Sequence, residues 1–227
     1  MQYFRLISSR VRPHVVAALL GPFFVTLALL CAAPAPAAAD KAADCFGEDL
    51  SRRLEACTAL IDGATLNDAD LALAFSARAL AYSVAGKYDL AIPDYNASLK
   101  LDPNSAIALN NRAWAYFRSG APEHGVEDVE KALALLPGSP HTLDTRAHIF
   151  QSRGDIDHAM RDYESAMRYG GQTIVKLYQC GLQAHALFPG DIDGLYTSEM
   201  RKALETCVAT TGCDPLPADE ECRKVTS

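Results

Sequence analysis

A period of 34 residues constrains this chain more than any other feature, because a fixed repeat of that length calls for one supersecondary unit stacked on the next. Gly86, Gly120 and Gly154 stand 34 apart, within Ala-Gly-Lys-Tyr-Asp-Leu-Ala, Ser-Gly-Ala-Pro-Glu-His-Gly and Arg-Gly-Asp-Ile-Asp-His-Ala. The same spacing separates Arg78, Arg112 and Arg146, each followed by an alanine, and the aromatic series Tyr82, Tyr116 and Phe150. Further on, Tyr95, Val129 and Tyr163 are followed three residues later by Ser98, Ala132 and Ala166, then by Leu99, Leu133 and Met167. Small residues alternating with large ones let two helices pack closely.

The boundaries keep the same period. Ser105, Ser139 and Thr173 each stand before a new helical stretch, and Pro140 takes the first helical position after Ser139. A hydroxyl there accepts a hydrogen bond from an otherwise unsatisfied backbone N–H, and proline has no N–H to lose. The turns Leu-Asp-Pro-Asn and Leu-Leu-Pro-Gly end the preceding helices. Each unit is therefore predicted as helix, turn, helix, turn. Upstream, Ser51 to Ile61 places Leu54, Cys57, Ala59, Leu60 and Ile61 on an amphipathic helix that would cap the exposed N-terminal end.

These residues resemble the tetratricopeptide repeat family, whose pattern sets a large residue, a small one, an aromatic, Gly, Ala, an aromatic, Ala and Pro at fixed places. Residues 72–105 supply Phe75, Ala79, Tyr82, Gly86, Tyr88, Ala91, Tyr95 and Pro103. Residues 106–139 supply Leu109, Ala113, Tyr116, Gly120, Ala132 and Pro137, with Gly125 and Val129 departing. Residues 140–173 supply Leu143, Ala147, Phe150, Gly154, Ala159, Tyr163 and Ala166, without the closing proline. The resemblance implies that the first helices line a groove for a protein or peptide partner. Asn110, Trp114, Phe117 and Arg118 would face it from the second copy, and His141, Asp144, His148 and Gln151 from the third. Trp114 has two readings, a groove anchor or a residue packed between repeats.

After Thr173 the period fades, and a helix from Ile174 to about Leu187 is predicted. The order Val175, Tyr178-Gln179, Leu182, Gly190, Asp193-Gly194-Leu195-Tyr196, Ala203-Leu204 and Cys207 is similar to the small three-helix peptidoglycan-binding domain. Tyr178, Thr197, Met200 and Cys207 depart from that pattern. The resemblance implies a glycan contact at Gly190, Asp193, Gly194 and Tyr196. An aspartate followed by glycine is also ordinary turn chemistry.

The first segment carries Arg5, Arg10 and Arg12, then a nearly all-apolar stretch from Val15 to Leu30, then small residues ending Ala37-Ala38-Ala39. That layout reads as a signal peptide over residues 1–39, cleaved after Ala39. Gly21-Pro22 interrupts the stretch, which disfavours an uncut membrane anchor, and Leu30 before Cys31 disfavours lipid attachment. Cleavage would remove three basic residues and no acidic one, taking the formal charge from −7 to −10. Such a balance opposes non-specific binding to nucleic acid or anionic lipid.

Loss of Cys31 turns seven cysteines into six: Cys45, Cys57, Cys180, Cys207, Cys213 and Cys222. An even number suits disulfides in an oxidising compartment, and the spacing contains no Cys-x-x-Cys. Cys45 with Cys57 is the expected bridge, while the other four admit three pairings.

Motifs for phosphate loops, nucleophile elbows and zinc proteases are absent from the sequence. His141, Asp144 and His148 share one helix face, where a polar groove surface is a simpler reading than a metal site, so no cofactor and no catalysis are expected. The predicted fold is all-α: a tetratricopeptide-like helical-repeat solenoid with a small disulfide-bonded C-terminal three-helix domain. Its divisions are a capping helix over 40–71, repeats over 72–105, 106–139 and 140–173, and a C-terminal segment over 174–227. The expected role is a periplasmic adaptor that holds a protein segment and is tethered to peptidoglycan; the alternative is an accessory subunit of an enzyme complex without wall affinity.

Overall fold

A computed structural model of the chain describes residues 37–47, 49–216 and 222. Apart from its last three positions, the signal expected over 1–39 lies outside the described residues, and so do Arg5, Arg10, Arg12 and Cys31. The described secondary structure is helical. It runs α1 (Ala37–Phe46), α2 (Leu50–Asp62), α3 (Asp68–Val84), α4 (Tyr88–Leu101), α5 (Ala106–Arg118), a 3-10 turn (Pro122–Gly125), α6 (Val126–Leu135), α7 (Pro140–Ser152), α8 (Ile156–Ala184) and α9 (Ser198–Val208).

The helix pairs α3/α4, α5/α6 and α7/α8 form the stack, and local chemistry fixes their limits. Asn67 accepts from Asp70 N at 3.0 Å, Ser105 from Ala108 N at 3.3 Å and Ser139 from Thr142 N at 3.4 Å. Each first helix ends in the same turn. Gly86, Gly120 and Gly154 take φ of +71°, +84° and +73°. The next residue's N–H then closes back: Lys87 to Tyr82 O, Ala121 to Tyr116 O and Asp155 to Phe150 O, at 2.9, 2.9 and 3.0 Å. A positive φ and that closure make a Schellman turn, which only glycine enters without a Cβ penalty.

Within each pair the helices meet through small residues. Ala79, Ala113 and Ala147 are fully buried in the first helices, as are Ala91 in α4 and Ala159 in α8, and Gly125, just before α6, takes the equivalent place in the second repeat. At Gly125 the approach leaves little room for a side chain, since a Cβ there would stand 3.0 Å from both the Cα and the carbonyl oxygen of Ala113. This accounts for the departure at Gly125. Gly125→Val is expected to cost about 2 kcal/mol by forcing α6 off α5. A urea titration should show a lower midpoint with an unchanged slope.

A second device recurs at the period. Arg78, Arg112 and Arg146 each fork onto an aspartate 16 residues later, Asp94, Asp128 and Asp162, with both guanidinium bonds between 2.6 and 2.9 Å. The remaining amine reaches the preceding unit: Thr58 at 3.2 Å, Asn96 at 2.7 Å and Glu130 at 3.0 Å. One arginine per repeat therefore joins its own two helices and the helix before them.

The end of the stack differs from the expected boundary at Thr173. α8 continues to Ala184 with a kink at Gly171, whose φ is +65° and ψ −159°. Thr173 lies inside the helical run, so it caps nothing. A Cβ on Gly170 would sit 2.7 Å from that of Ile174, so the pair Gly170-Gly171 permits the kink. Beyond it, Ile174, Tyr178 and Leu182 share one core with Tyr163 and Met167 of the third repeat and with Met200, Leu204 and Cys207 of α9. The C-terminal segment is thus packed directly on the stack.

Three disulfides staple the ends. Cys45 pairs with Cys57, Cys180 with Cys222 and Cys207 with Cys213, with Cα separations of 4.7, 5.5 and 5.2 Å. The first ties α1 to α2; the others hold the residues after α9 to α8 and α9.

Candidate functional site

The first helices of the repeats, α3, α5 and α7, set equivalent positions in line at the 34-residue spacing. Leu80, Trp114 and His148 form one such line. Trp114 is half-buried, with its ring centroid 5.2 Å from that of His148 in edge geometry and 5.3 Å from that of Phe117. It therefore packs between repeats on one side while keeping part of its surface open. The exposed Arg118 lays its guanidinium 5.5 Å above the indole. Asn110 is buried, and its Oδ1 has no hydrogen-bond partner among the described residues.

In the third repeat the expected open groove is not what forms. His141 and Gln151 are half-buried, but Asp144 and His148 are buried. The cause is the C-terminal segment, with Tyr178 of α8 on Asp144 and the tail after α9 on His148. His148 donates from Nδ1 to the backbone carbonyl of Asp144 at 2.8 Å and from Nε2 to Asp214 Oδ1 at 3.0 Å. Gln151 donates to the carbonyl of Cys213 at 2.8 Å, and His185 to that of Asp214 at 3.0 Å. Tyr178 donates its hydroxyl to Asp144 Oδ1, and Tyr163 donates to Gln151 Oε1 at 2.6 Å.

Both ring nitrogens of His148 face acceptors, so the imidazolium is the form that satisfies them. Burial alone would push its pKa down, but the carboxylates of Asp144 and Asp214 outweigh it and raise the value to about 9. Burial also works against the Asp214 carboxylate; the hydrogen bond and charge of His148 overcome that and lower its pKa. Asp144 is shifted up, since burial exceeds the help it receives from His148 and Tyr178. The positive charge on His148 and the negative charge on Asp214 form the pair that holds the tail.

A cavity of about 570 Å³ opens beside this contact, lined among others by Phe117, Arg118, His148, Gln151 and Asp214. Trp114, Phe117, Arg118, His148 and Gln151 are thus brought to one place. His141 lies one turn earlier on α7 than Asp144, and burial lowers its pKa. Among the described residues, no group of three or more His, Cys, Asp or Glu side chains could hold a metal ion.

The residues of the glycan expectation lie elsewhere and are engaged within the chain. Gln179, fully buried, donates to Asp193 Oδ1 at 2.8 Å and accepts from Gly194 N at 2.8 Å. Asp193 also accepts from Leu195 N at 2.8 Å, and Gln183 donates to the carbonyl of Gly190. Gly194 has φ of +81°, and Tyr196 donates to Glu164 Oε1 at 2.7 Å. Within the chain this motif is a loop pinned to α8 by the buried Gln179 and by Glu164, which receives the Tyr196 hydroxyl.

Two parts of the site were not read from the sequence. The acidic series Asp94, Asp128 and Asp162 carries a 34-residue spacing that was there to find. The contact between His148 and Asp214 spans 66 residues and has no local signal. Residues 76–140 match the tetratricopeptide repeat family. No curated protein matches the chain.

Proposed function

Because the chain carries tetratricopeptide repeats, which are protein-interaction modules, we propose that it is an exported adaptor holding an extended segment of a partner protein along α3, α5 and α7. The observation that carries this reading is a piece of polypeptide, Cys213 to Leu216, lying on that face with its carbonyls and carboxylate taken by side chains. Towards α3 the same face offers Leu73 and Val84, 40% and 52% exposed, with Leu80 between them at the position that Trp114 takes one repeat later. An apolar stripe of this kind suits an extended segment that brings apolar side chains to the face.

Export rests on the sequence of residues 1–39 and is supported by three disulfides, which suit an oxidising compartment such as the periplasm. No described helix is long and apolar enough to cross a membrane. A tether to peptidoglycan through Gly190, Asp193, Gly194 and Tyr196 rests on sequence resemblance alone. The engagement of those residues inside the chain favours the second reading, an accessory subunit of an enzyme complex without wall affinity. Sedimentation of the oxidised chain with insoluble peptidoglycan separates the two, since only a tethered protein is carried down.

Trp114→Ala tests the groove. Immobilised chain should lose at least about tenfold of its affinity for the partner it retains from envelope extract, because a half-buried aromatic at the centre of such a face is an anchor. Retention unchanged by Trp114→Ala, with helix content preserved, would remove the face from the account.

A further inference from the structure

Among the unassigned features, the segment after α9 has the most unusual surroundings. It is a non-helical stretch laid against α7, and its polar groups are taken by side chains as those of a bound peptide would be. The Asp214 carboxylate accepts from His148 Nε2 at 3.0 Å, the Cys213 carbonyl from Gln151 Nε2 at 2.8 Å and the Asp214 carbonyl from His185 Nε2 at 3.0 Å. Pro215 is fully buried, and Leu216 packs at the edge of the core shared by α8 and α9. The segment's own turn is closed by the Leu216 N–H on Asp214 Oδ1 at 2.9 Å.

Two observations set this segment apart from an ordinary piece of core. The Asp214 side chain keeps about a third of its surface, 34%, open to solvent. It also borders the 570 Å³ cavity that continues past Gln151 to Phe117 and the exposed Arg118. The receiving side is built to hold an anion: the His148 ring is clamped edge-on between Trp114 and Tyr163, at 5.2 Å from each, and fixed by the Asp144 carbonyl. Cys213, bonded to Cys207 of α9, keeps the segment next to the face whether or not Asp214 is seated.

We propose that the third repeat's part of the face is a subsite for an acidic extended segment, and that the chain's own Cys213–Leu216 fills it as a tethered internal competitor that a partner must displace. This deepens the groove function proposed above and rests on it. The occupant is a protein segment in which an aspartate is followed by proline and an apolar residue, the chemistry that the tail itself presents. Tethering raises the local concentration of the internal segment to the millimolar range, so the free face is seldom available to a weak ligand. A partner that engages Leu80 and Trp114 as well adds contacts the tail does not make, and so wins the exchange.

The test uses the oxidised full chain and a dye-labelled peptide of residues 210–217 with serine at the cysteine position, Thr-Thr-Gly-Ser-Asp-Pro-Leu-Pro. Asp214→Asn weakens the internal contact, and the variant should bind this peptide at least about tenfold more tightly than the wild type does. A peptide with asparagine in place of its aspartate should lose that gain. On the wild-type chain, millimolar peptide should speed hydrogen exchange at the Leu216 amide, a reading that stands if the variant does not fold. Equal peptide affinity for wild type and Asp214→Asn, equal affinity of the two peptides, or unchanged exchange at Leu216 overturns the competitor. The groove function fails separately, when Trp114→Ala leaves partner retention unchanged.

Discussion

Arg112→Ala is expected to lower the stability of the stack by about 3–5 kcal/mol, the largest effect of any single substitution considered for this chain. The reason lies in what remains behind. Asp128 is 7% exposed at its side chain and receives two bonds from Arg112, at 2.6 and 2.7 Å. Without the guanidinium its carboxylate stays buried and unpaired, and the bond that ties α5 to Asn96 of α4 is lost as well. Arg112→Met with Asp128→Leu removes both charges and should recover most of the loss, because the desolvation of the pair disappears with it. Chemical denaturation followed by helical ellipticity measures both. A loss below about 1 kcal/mol for Arg112→Ala would place the pair with exposed ion pairs and would take away its role as the clamp between units.

Alkaline pH should release the tail before it melts the repeats. In the folded chain the His148 imidazole has a pKa of about 9, against about 6.5 when unfolded, so folding takes up a proton between the two. Stability from this group is complete below about pH 6.5 and is lost as pH rises through 9, a change of about 3 kcal/mol. Its neighbours do not reverse the sign. Asp144 on α7 and Asp214 on the tail are the charges that raise it, and Arg118 on α5 acts on Asp214 from outside. Tyr163 and Tyr178 on α8 have pKa values pushed well above 10 by burial, so they stay neutral through this range. Asp214, whose pKa is lowered, contributes above the ordinary carboxylate range and loses its share only as pH falls below it.

The chain's single tryptophan reports the change directly, since Trp114 sits edge-on to His148 at 5.2 Å and an imidazolium quenches indole emission more than a neutral ring does. Emission should rise with a midpoint near 9 in the wild type, and Asp214→Asn should move that midpoint down by about one unit or more. A midpoint near 6.5 in the wild type would mean that the tail does not hold His148 as described.

What could be read from the sequence was whatever local chemistry repeats. Gly86, Gly120 and Gly154 were legible because a Schellman turn needs a positive φ at one place, and the residue four before it, whose carbonyl closes the turn, is aromatic in every copy. Ser105 and Ser139 were legible for the same kind of reason, as caps. Thr173 misled because the period continued in the sequence after the geometry had changed at Gly170-Gly171, where a kink replaces a helix end. The groove of the third repeat was misjudged because the element that covers it is far away in sequence and enters through Asp214, a residue in a stretch too rich in proline and acid to carry a periodic signal. Gln179 and Asp193 show a similar limit: a residue pair that pins a loop and a residue pair that binds a glycan look alike until the distances are known.

The most direct measurement is photo-crosslinking from single positions in the producing cell. A benzoylphenylalanine at Leu80, in line with Trp114 and His148, is compared with one at the exposed Lys100 of α4. The account predicts a discrete adduct from position 80 that disappears on Trp114→Ala, and none from position 100. Adducts of equal yield from both positions, or an adduct at position 80 that survives Trp114→Ala, would contradict a partner held along the first helices.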